Sequence, residues 1–221
     1  SHGISKKRIN NLPINIAAIT NISQDHLDYH KTFNNYQTAK FKIFIKHLLK
    51  QGIAILNDNI KGISYLKQKI KKRKIQIITY GKNKSDVDCS FIKNKTKIKI
   101  YSKNYSIRLY STVAFENENL ACSICCCLAV GIEPQKIISF ISKLTQAEGR
   151  MQLVNSLYNG ARVFVDYAHT PDALKNVLVS NYFNFKKPNL VFGCGGDRDK
   201  SKRKEMGKIA NKYANKIYIT D

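Results

Sequence analysis

Residues 14–20 form a short apolar run between polar neighbours, which predicts a parallel strand buried on both faces. Residues 21–29 turn polar and carry Asp25, His26 and Asp28 just past that strand's carboxyl end. In an open α/β sheet this is the edge where ligands bind. The spacing then predicts a helix over residues 32–50, with Gly52 as its C-cap. A buried strand over 53–56, a helix to residue 72 and a strand over 75–79 follow.

From residue 86 to 110 the pattern becomes an alternation, as in Lys97-Ile98-Lys99-Ile100-Tyr101, which predicts half-exposed antiparallel sheet. Helices are predicted over 117–130, ended by Gly131, and over 134–144, where Pro134 takes a favoured first-turn position. Glu148-Gly149-Arg150 reads as a hinge. Beyond it, a hairpin turning at Asn159-Gly160 leads into a strand over 162–166, and Thr170-Pro171-Asp172 has the chemistry of a helix start. A strand over 190–192, a glycine-rich turn, a helix over 202–214 and a strand over 217–220 complete a βαβαβ run. The expected fold class is therefore α/β: a mixed, partly antiparallel sheet in residues 1–148, and the start of a Rossmann-like unit in 149–221.

Composition narrows the classes. The chain has 221 residues, 43% of them hydrophobic, which is too apolar for a disordered polycation and enough for a real core. No apolar run is long enough for a membrane span, and no secretory leader pattern is visible. The net charge of +23 invites a nucleic-acid reading. Of the 38 basic residues, however, only 7 are Arg, and the lysines are spread along the chain among many Ile and Asn. Phosphate and base readers cluster Arg on one element, so the charge is read first as compositional drift, with a basic binding surface as the alternative. Six scattered cysteines fit reduced thiols and a cytoplasmic location. Cys122, Cys125, Cys126 and Cys127 lack a second ligand pair at zinc spacing and read as a buried helix using Cys as a small apolar residue.

Three features carry candidate chemistry. At 100° per residue Phe33, Tyr36, Ile43, Phe44 and His47 share a helix face, with Lys40 near its middle and Lys42 and Lys46 opposite. A lysine there either snorkels to water, or offers a neutral amine that takes up carbon dioxide as a carbamate, an oxygen-donor anion suited to Mg²⁺. Asp25, His26 and Asp28 are either a metal-binding cluster or a solvated loop. Gly193-Cys194-Gly195-Gly196-Asp197-Arg198 lies between a strand and a helix but lacks the third glycine of a dinucleotide fingerprint, and no phosphate-cradling P-loop sequence occurs.

Read in order, several strings resemble one family. They are Ser1-His2-Gly3; Thr20-Asn21-Ile22-Ser23-Gln24-Asp25-His26-Leu27-Asp28-Tyr29-His30; Tyr36-Gln37-Thr38-Ala39-Lys40; Glu148-Gly149-Arg150-Met151; Asp166-Tyr167-Ala168-His169-Thr170-Pro171-Asp172; and Gly193-Cys194-Gly195-Gly196-Asp197-Arg198-Asp199. Together they resemble the Mur ligases of peptidoglycan synthesis, in the branch that adds a diamino acid to a UDP-muramoyl dipeptide. The resemblance spans nearly the whole chain; only residues 56–110 lack a distinctive motif.

It implies a parent with a UDP-binding domain, a central ATPase domain and a Rossmann-like C-terminal domain. Residues 1–148 would be the later part of the second, and 149–221 the start of the third. The reaction implied uses ATP and Mg²⁺ to join meso-diaminopimelate, or L-lysine as the alternative, to UDP-MurNAc-L-Ala-D-Glu through an acyl phosphate. By the same resemblance Lys40 is the carbamylated lysine and His26 sits at the second Mg²⁺. Ser1 and Arg8 contact the UDP-muramoyl substrate. Arg150 reaches the ATP phosphates, Asp166 lies near the ribose and Asn119 near the nucleotide; Lys40, His26 and Arg150 form the implied catalytic set.

Two positions depart from the pattern. Glu116 stands where the family has Asn, and Lys6 where it has Gln. The family's P-loop is expected before Ser1 and its Asp-Asn-Pro-Arg motif at or after Asp221, so these residues alone are expected to be inactive.

Overall fold

A computed structural model describes residues 1–23, 27–81, 84–92, 95–107, 114–145, 147–180, 183, 186–195 and 201–220. The chain divides into two compact units, Ser1–Ser142 and Lys143–Asp221.

In the first unit α1 (His2–Ser5) precedes β1 (Ile14–Ile19), followed by α2 (Leu27–His30) and α3 (Phe33–Lys42). Thr32 caps α3, its hydroxyl accepting from the Asn35 N–H at 3.1 Å. A π-helical turn, Ile43–His47, leads into β2 (Leu48–Asn57). Next come α4 (Ile63–Lys72), β3 (Gln76–Tyr80), β4 (Val87–Ile92), β5 (Lys95–Ile100), β6 (Lys103–Ile107), α5 (Ala114–Ala129) and α6 (Pro134–Ile141). The six strands form one sheet in chain order, parallel from β1 to β4 and antiparallel from β4 to β6. The switch falls where the sequence changes from continuous apolar runs to alternation.

Strand parity sorts the core into two layers. Ala17, Ile19, Ala54 and Leu56 point to one side and pack with Phe41, Phe44, Leu48, Leu66 and Ile70. Ile55, Ile78, Val87, Ile98 and Ile100 point to the other and pack with Ala121, Cys122, Ile124, Cys125, Ile137 and Ile141. Cys122 and Cys125 are thus core side chains. Burial pushes the Cys89 thiol up to about 12 and that of Cys125 higher still, so these thiols stay protonated and unreactive.

The expected helix over 32–50 is corrected here. It ends at His47, and Gly52 lies inside β2. Between Ile14 and Ile16 the partner register jumps from Leu48 to Ile53, so β2 carries an insertion beside β1. A Cβ at Gly52 would sit 2.6 Å from the Asn15 carbonyl oxygen, so the glycine is needed for close backbone approach and not as a helix cap. The helix end is closed from elsewhere: the Arg73 guanidinium donates to the Phe44 carbonyl at 2.6 Å and the Leu48 carbonyl at 2.7 Å. Arg73→Met is expected to leave two carbonyls without this donor and to lower stability by about 2 kcal/mol. A urea titration of the full natural chain checks this, and Arg73→Lys should recover only part of the loss, since one ammonium cannot reproduce the two-pronged fork.

The second unit holds β7 (Gln152–Ser156) and β8 (Arg162–Val165), paired antiparallel, then α7 (Pro171–Leu178), β9 (Leu190–Gly193), α8 (Ser201–Tyr213) and β10 (Ile217–Thr220). β9 and β10 pair in parallel, from Leu190 with Ile217 to Gly193 with Thr220. Leu174 and Leu178 of α7 meet Met206 of α8, with Leu190, Phe192 and Ile209 against them. Thr170 caps α7, accepting from the Ala173 N–H at 3.3 Å, as its sequence predicts. The chain order of strands and helices is that of the predicted βαβαβ run; among the described residues no ladder joins β8 to β9.

Candidate active site

Lys40 sits on the third turn of α3, four residues after Tyr36, and that spacing brings the two side chains together. Its ammonium lies 5.0 Å from the Tyr36 ring centroid, a cation–π contact, and the residue is half-buried. Its expected place at the centre of the core-facing stripe needs correction. From this segment Tyr36, Ala39, Phe41 and Phe44 are buried, while Lys40 is half-buried beside them. The π-helical turn adds a residue to the winding and rotates the later positions relative to a regular helix.

Tyr36 is buried beneath a stack of rings. The His30 ring lies 5.4 Å from it, Tyr29 4.8 Å from His30, and His2 4.3 Å from Tyr29. This stack joins α1 to α2 and α3, and so brings Ser1 into Lys40's neighbourhood. Arg8 is exposed, with its N–H bonded to the Gly3 carbonyl at 2.8 Å. Asp25 and His26 lie outside the described residues.

A second group gathers at the carboxyl ends of β1, β2 and β3. The Asn57 amide donates to the Thr20 carbonyl at 2.7 Å and to Glu118 Oε2 at 3.2 Å, and the Asn59 amide donates to Glu118 Oε1 at 2.9 Å. The Tyr80 hydroxyl donates to the Ile19 carbonyl at 3.0 Å. Asn119 is exposed on the next position of α5, its carbonyl accepting from the Ser123 hydroxyl. Sequence analysis names Asn119 but misses Asn57, Asn59 and Glu118. The available signal was a polar Asn-Asp-Asn at the end of a buried strand, which in an open α/β sheet is ligand-edge territory.

In the second unit the hinge reads as a fixed turn. Gly149 has φ +63° and Met151 φ +47°, and the Met151 side chain is buried. The turn is held by Asp166: Oδ2 accepts from the Met151 N–H and Oδ1 from the Ala168 N–H, both at 2.8 Å. Arg150 lies 4.9 Å over the Tyr167 ring, and the His169 ring packs edge-on against Tyr167 at 4.9 Å. Arg150, Asp166 and Tyr167 are therefore one constellation. A cavity of about 430 Å³ opens at the carboxyl ends of β9 and β10, lined by Phe192, Cys194, Gly195, Arg203, Gly207, Ile219 and Thr220. Residues 196–200 of the glycine-rich motif lie outside the described residues.

The first unit thus gathers amides and a carboxylate at the carboxyl ends of its parallel strands, and the second carries an arginine–aspartate turn. Residues 1–127 match the Mur ligase middle domain and residues 149–221 the Mur ligase, glutamate ligase domain. The chain belongs to the Mur ligase family.

Over 230 residues it is 40% identical to the UDP-N-acetylmuramoyl-L-alanyl-D-glutamate--2,6-diaminopimelate ligase of Rickettsia typhi, covering 100% of this chain and 46% of the relative. The enzyme of the same name from Anaplasma marginale is 36% identical over 233 residues, covering 100% and 47%. Among solved structures, one of a UDP-N-acetylmuramoyl-L-alanyl-D-glutamate--2,6-diaminopimelate ligase superposes with a TM-score of 0.66 at 30% identity, covering 100% of this chain and 46% of that one. MurF ligase from Thermotoga maritima in complex with ADP has the same fold, with a TM-score of 0.71 at 20% identity over 96% of this chain and 50% of that one. The chain spans about half the length of the curated relatives it matches. Among the described residues no helix is long and apolar enough to cross a membrane.

Proposed function

We propose that these residues belong to a cytoplasmic ATP-dependent ligase that joins meso-diaminopimelate to UDP-MurNAc-L-Ala-D-Glu in peptidoglycan synthesis. Residues 1–148 serve as part of its ATPase domain and 149–221 as the start of its C-terminal domain. The observation that carries the reading is the half-buried Lys40 side chain beside Tyr36 on α3, in a chain whose two halves match the Mur ligase middle and glutamate ligase domains. The named relatives support it, and the free state of all six cysteines fits a reducing compartment.

In this reading a substrate carboxylate oxygen attacks the γ-phosphorus of ATP and ADP leaves. The diamino acid's amine then attacks the carbonyl carbon of the acyl phosphate, releasing phosphate and a proton. Two anions must approach each other, so positive charge is needed where they meet. Arg150 supplies it to the ATP phosphates: its guanidinium is already oriented by Tyr167, and its planar fork matches phosphate oxygens. Asp166 accepts one backbone N–H at each oxygen, and each oxygen has a second acceptor direction for a ribose hydroxyl. Asn119 contacts the nucleotide from α5, and Ser1 and Arg8 hold the UDP-muramoyl peptide.

Lys40 becomes useful once its neutral nitrogen attacks carbon dioxide, forming an N–C bond and releasing a proton. The resulting carbamate presents oxygens, the donor type Mg²⁺ takes, and half-burial of the lysine favours the neutral nitrogen that starts the step. His26 is proposed beside it. The proposed donors are the Lys40 carbamate and His26. When bound, Mg²⁺ would screen the phosphate charge.

The test is incubation of the full natural chain with ATP, UDP-MurNAc-L-Ala-D-Glu and either meso-diaminopimelate or L-lysine, with product read by mass spectrometry. The diaminopimelate adduct, with one ADP per bond, is expected. Product with L-lysine alone would replace the diamino acid in this proposal. Failure of both, with salt-steep binding to nonspecific DNA, would favour the basic-surface alternative.

A further inference from the structure

We infer that Glu118 is a positioning residue for nucleotide binding: its carboxylate clamps the segment after β2 to the start of α5. This deepens the ligase reading and rests on it. A carboxylate accepts hydrogen bonds and donates none, and here each oxygen is taken by a different asparagine amide, Asn57 at 3.2 Å and Asn59 at 2.9 Å. That arrangement fixes both amides. With its NH₂ turned to Glu118, Asn57 points its own oxygen at the Asn59 N–H, 2.9 Å away. The same NH₂ holds the Thr20 carbonyl at 2.7 Å.

Asn57 is only 2% exposed, so its polar atoms depend on these partners. Gly81, at φ +123°, backs onto the pair. A Cβ there would lie 3.1 Å from Asn57 Oδ1 and 3.2 Å from Asn59 Nδ2, tight enough to displace both amides.

The clamp therefore joins three pieces of the ligand edge: the end of β1, from which the chain runs on toward His26; the loop after β2; and the helix that presents Asn119. A side chain that only stabilised the fold could be apolar at this half-buried position. A doubly paired carboxylate instead sets angles, because its two acceptor sites have fixed directions. Substrate-contacting groups lose far more from misplacement than from loss of packing.

The experiment measures ATP affinity by calorimetry, and KM for ATP, KM for UDP-MurNAc-L-Ala-D-Glu and kcat, on the full natural chain. Glu118→Ala is expected to weaken ATP binding and raise its KM about tenfold, with the KM of the other substrate and kcat within about twofold. Glu118→Gln turns an amide toward one asparagine and should behave similarly. Adding Asn59→Asp to Glu118→Gln restores a donor–acceptor pair and should recover most of the affinity. If Glu118→Ala does not fold, Asn59→Ala, at an exposed position, gives the same readout. Unchanged ATP affinity in these variants, or a uniform fall in every constant with the melting temperature, overturns the clamp. A wild-type chain that binds ATP but makes no amide overturns the ligase reading while leaving the clamp measurable. A wild-type chain that does not bind ATP overturns both.

Discussion

Lys40→Ala in the full natural chain is expected to abolish amide formation, a fall of about a thousandfold or more, on the scale of removing one preorganised electrostatic group from a phosphoryl-transfer site. A methyl group has no nitrogen to take up carbon dioxide, so added bicarbonate should not rescue the variant. Lys40→Arg separates chemistry from packing. A guanidinium keeps the positive charge and can keep the contact with Tyr36, so folding should be preserved. It is fully protonated at neutral pH and forms no carbamate, so activity should stay as low as in Lys40→Ala. Full activity of either variant, in a rate assay with saturating ATP, would remove the carbamate from the mechanism.

The second large effect is expected at Asp166. Its two oxygens hold the N–H groups of Met151 and Ala168, and Met151 takes a left-handed backbone angle of φ +47° that a methionine seldom adopts unaided. Asp166→Ala leaves both N–H groups without this partner and should cost about 2 kcal/mol of stability. It also frees the turn that carries Arg150, so the KM for ATP should rise by about tenfold or more. Asp166→Asn keeps one acceptor oxygen, its amide carbonyl, and turns an NH₂ toward the other N–H, so it should fall between wild type and Asp166→Ala in both readouts. Thermal melts and ATP titrations of the three proteins check the order.

Much of this architecture is legible in the sequence because the relevant signals are local. The apolar run of β1, the Thr170 cap of α7 and the alternation from β4 to β6 each declare themselves within a few residues. The end of the helix before β2 does not. Gly52 looks like a helix cap in sequence, but its reason is the Asn15 carbonyl on another strand, and the closure of that helix comes from Arg73, far along the chain. The placement of Lys40 was partly legible. Its pairing with Tyr36 follows from helical spacing, whereas the stack through His30, Tyr29 and His2 depends on tertiary packing. The Glu118 clamp was not legible, because its members lie on separate elements and none belongs to a periodic pattern. Asp166 and Arg150 are named through family resemblance alone, and the structure adds how the aspartate holds the arginine's turn.

The central claim is that the Lys40 nitrogen carries a carbamate. The direct measurement is ¹³C NMR of the full natural chain equilibrated with ¹³C-bicarbonate, beside the Lys40→Arg variant. A carbamate carbonyl resonance, about one per chain, is expected in the wild type and absent from the variant. A wild-type protein that forms the amide bond at full rate without that resonance would contradict the claim.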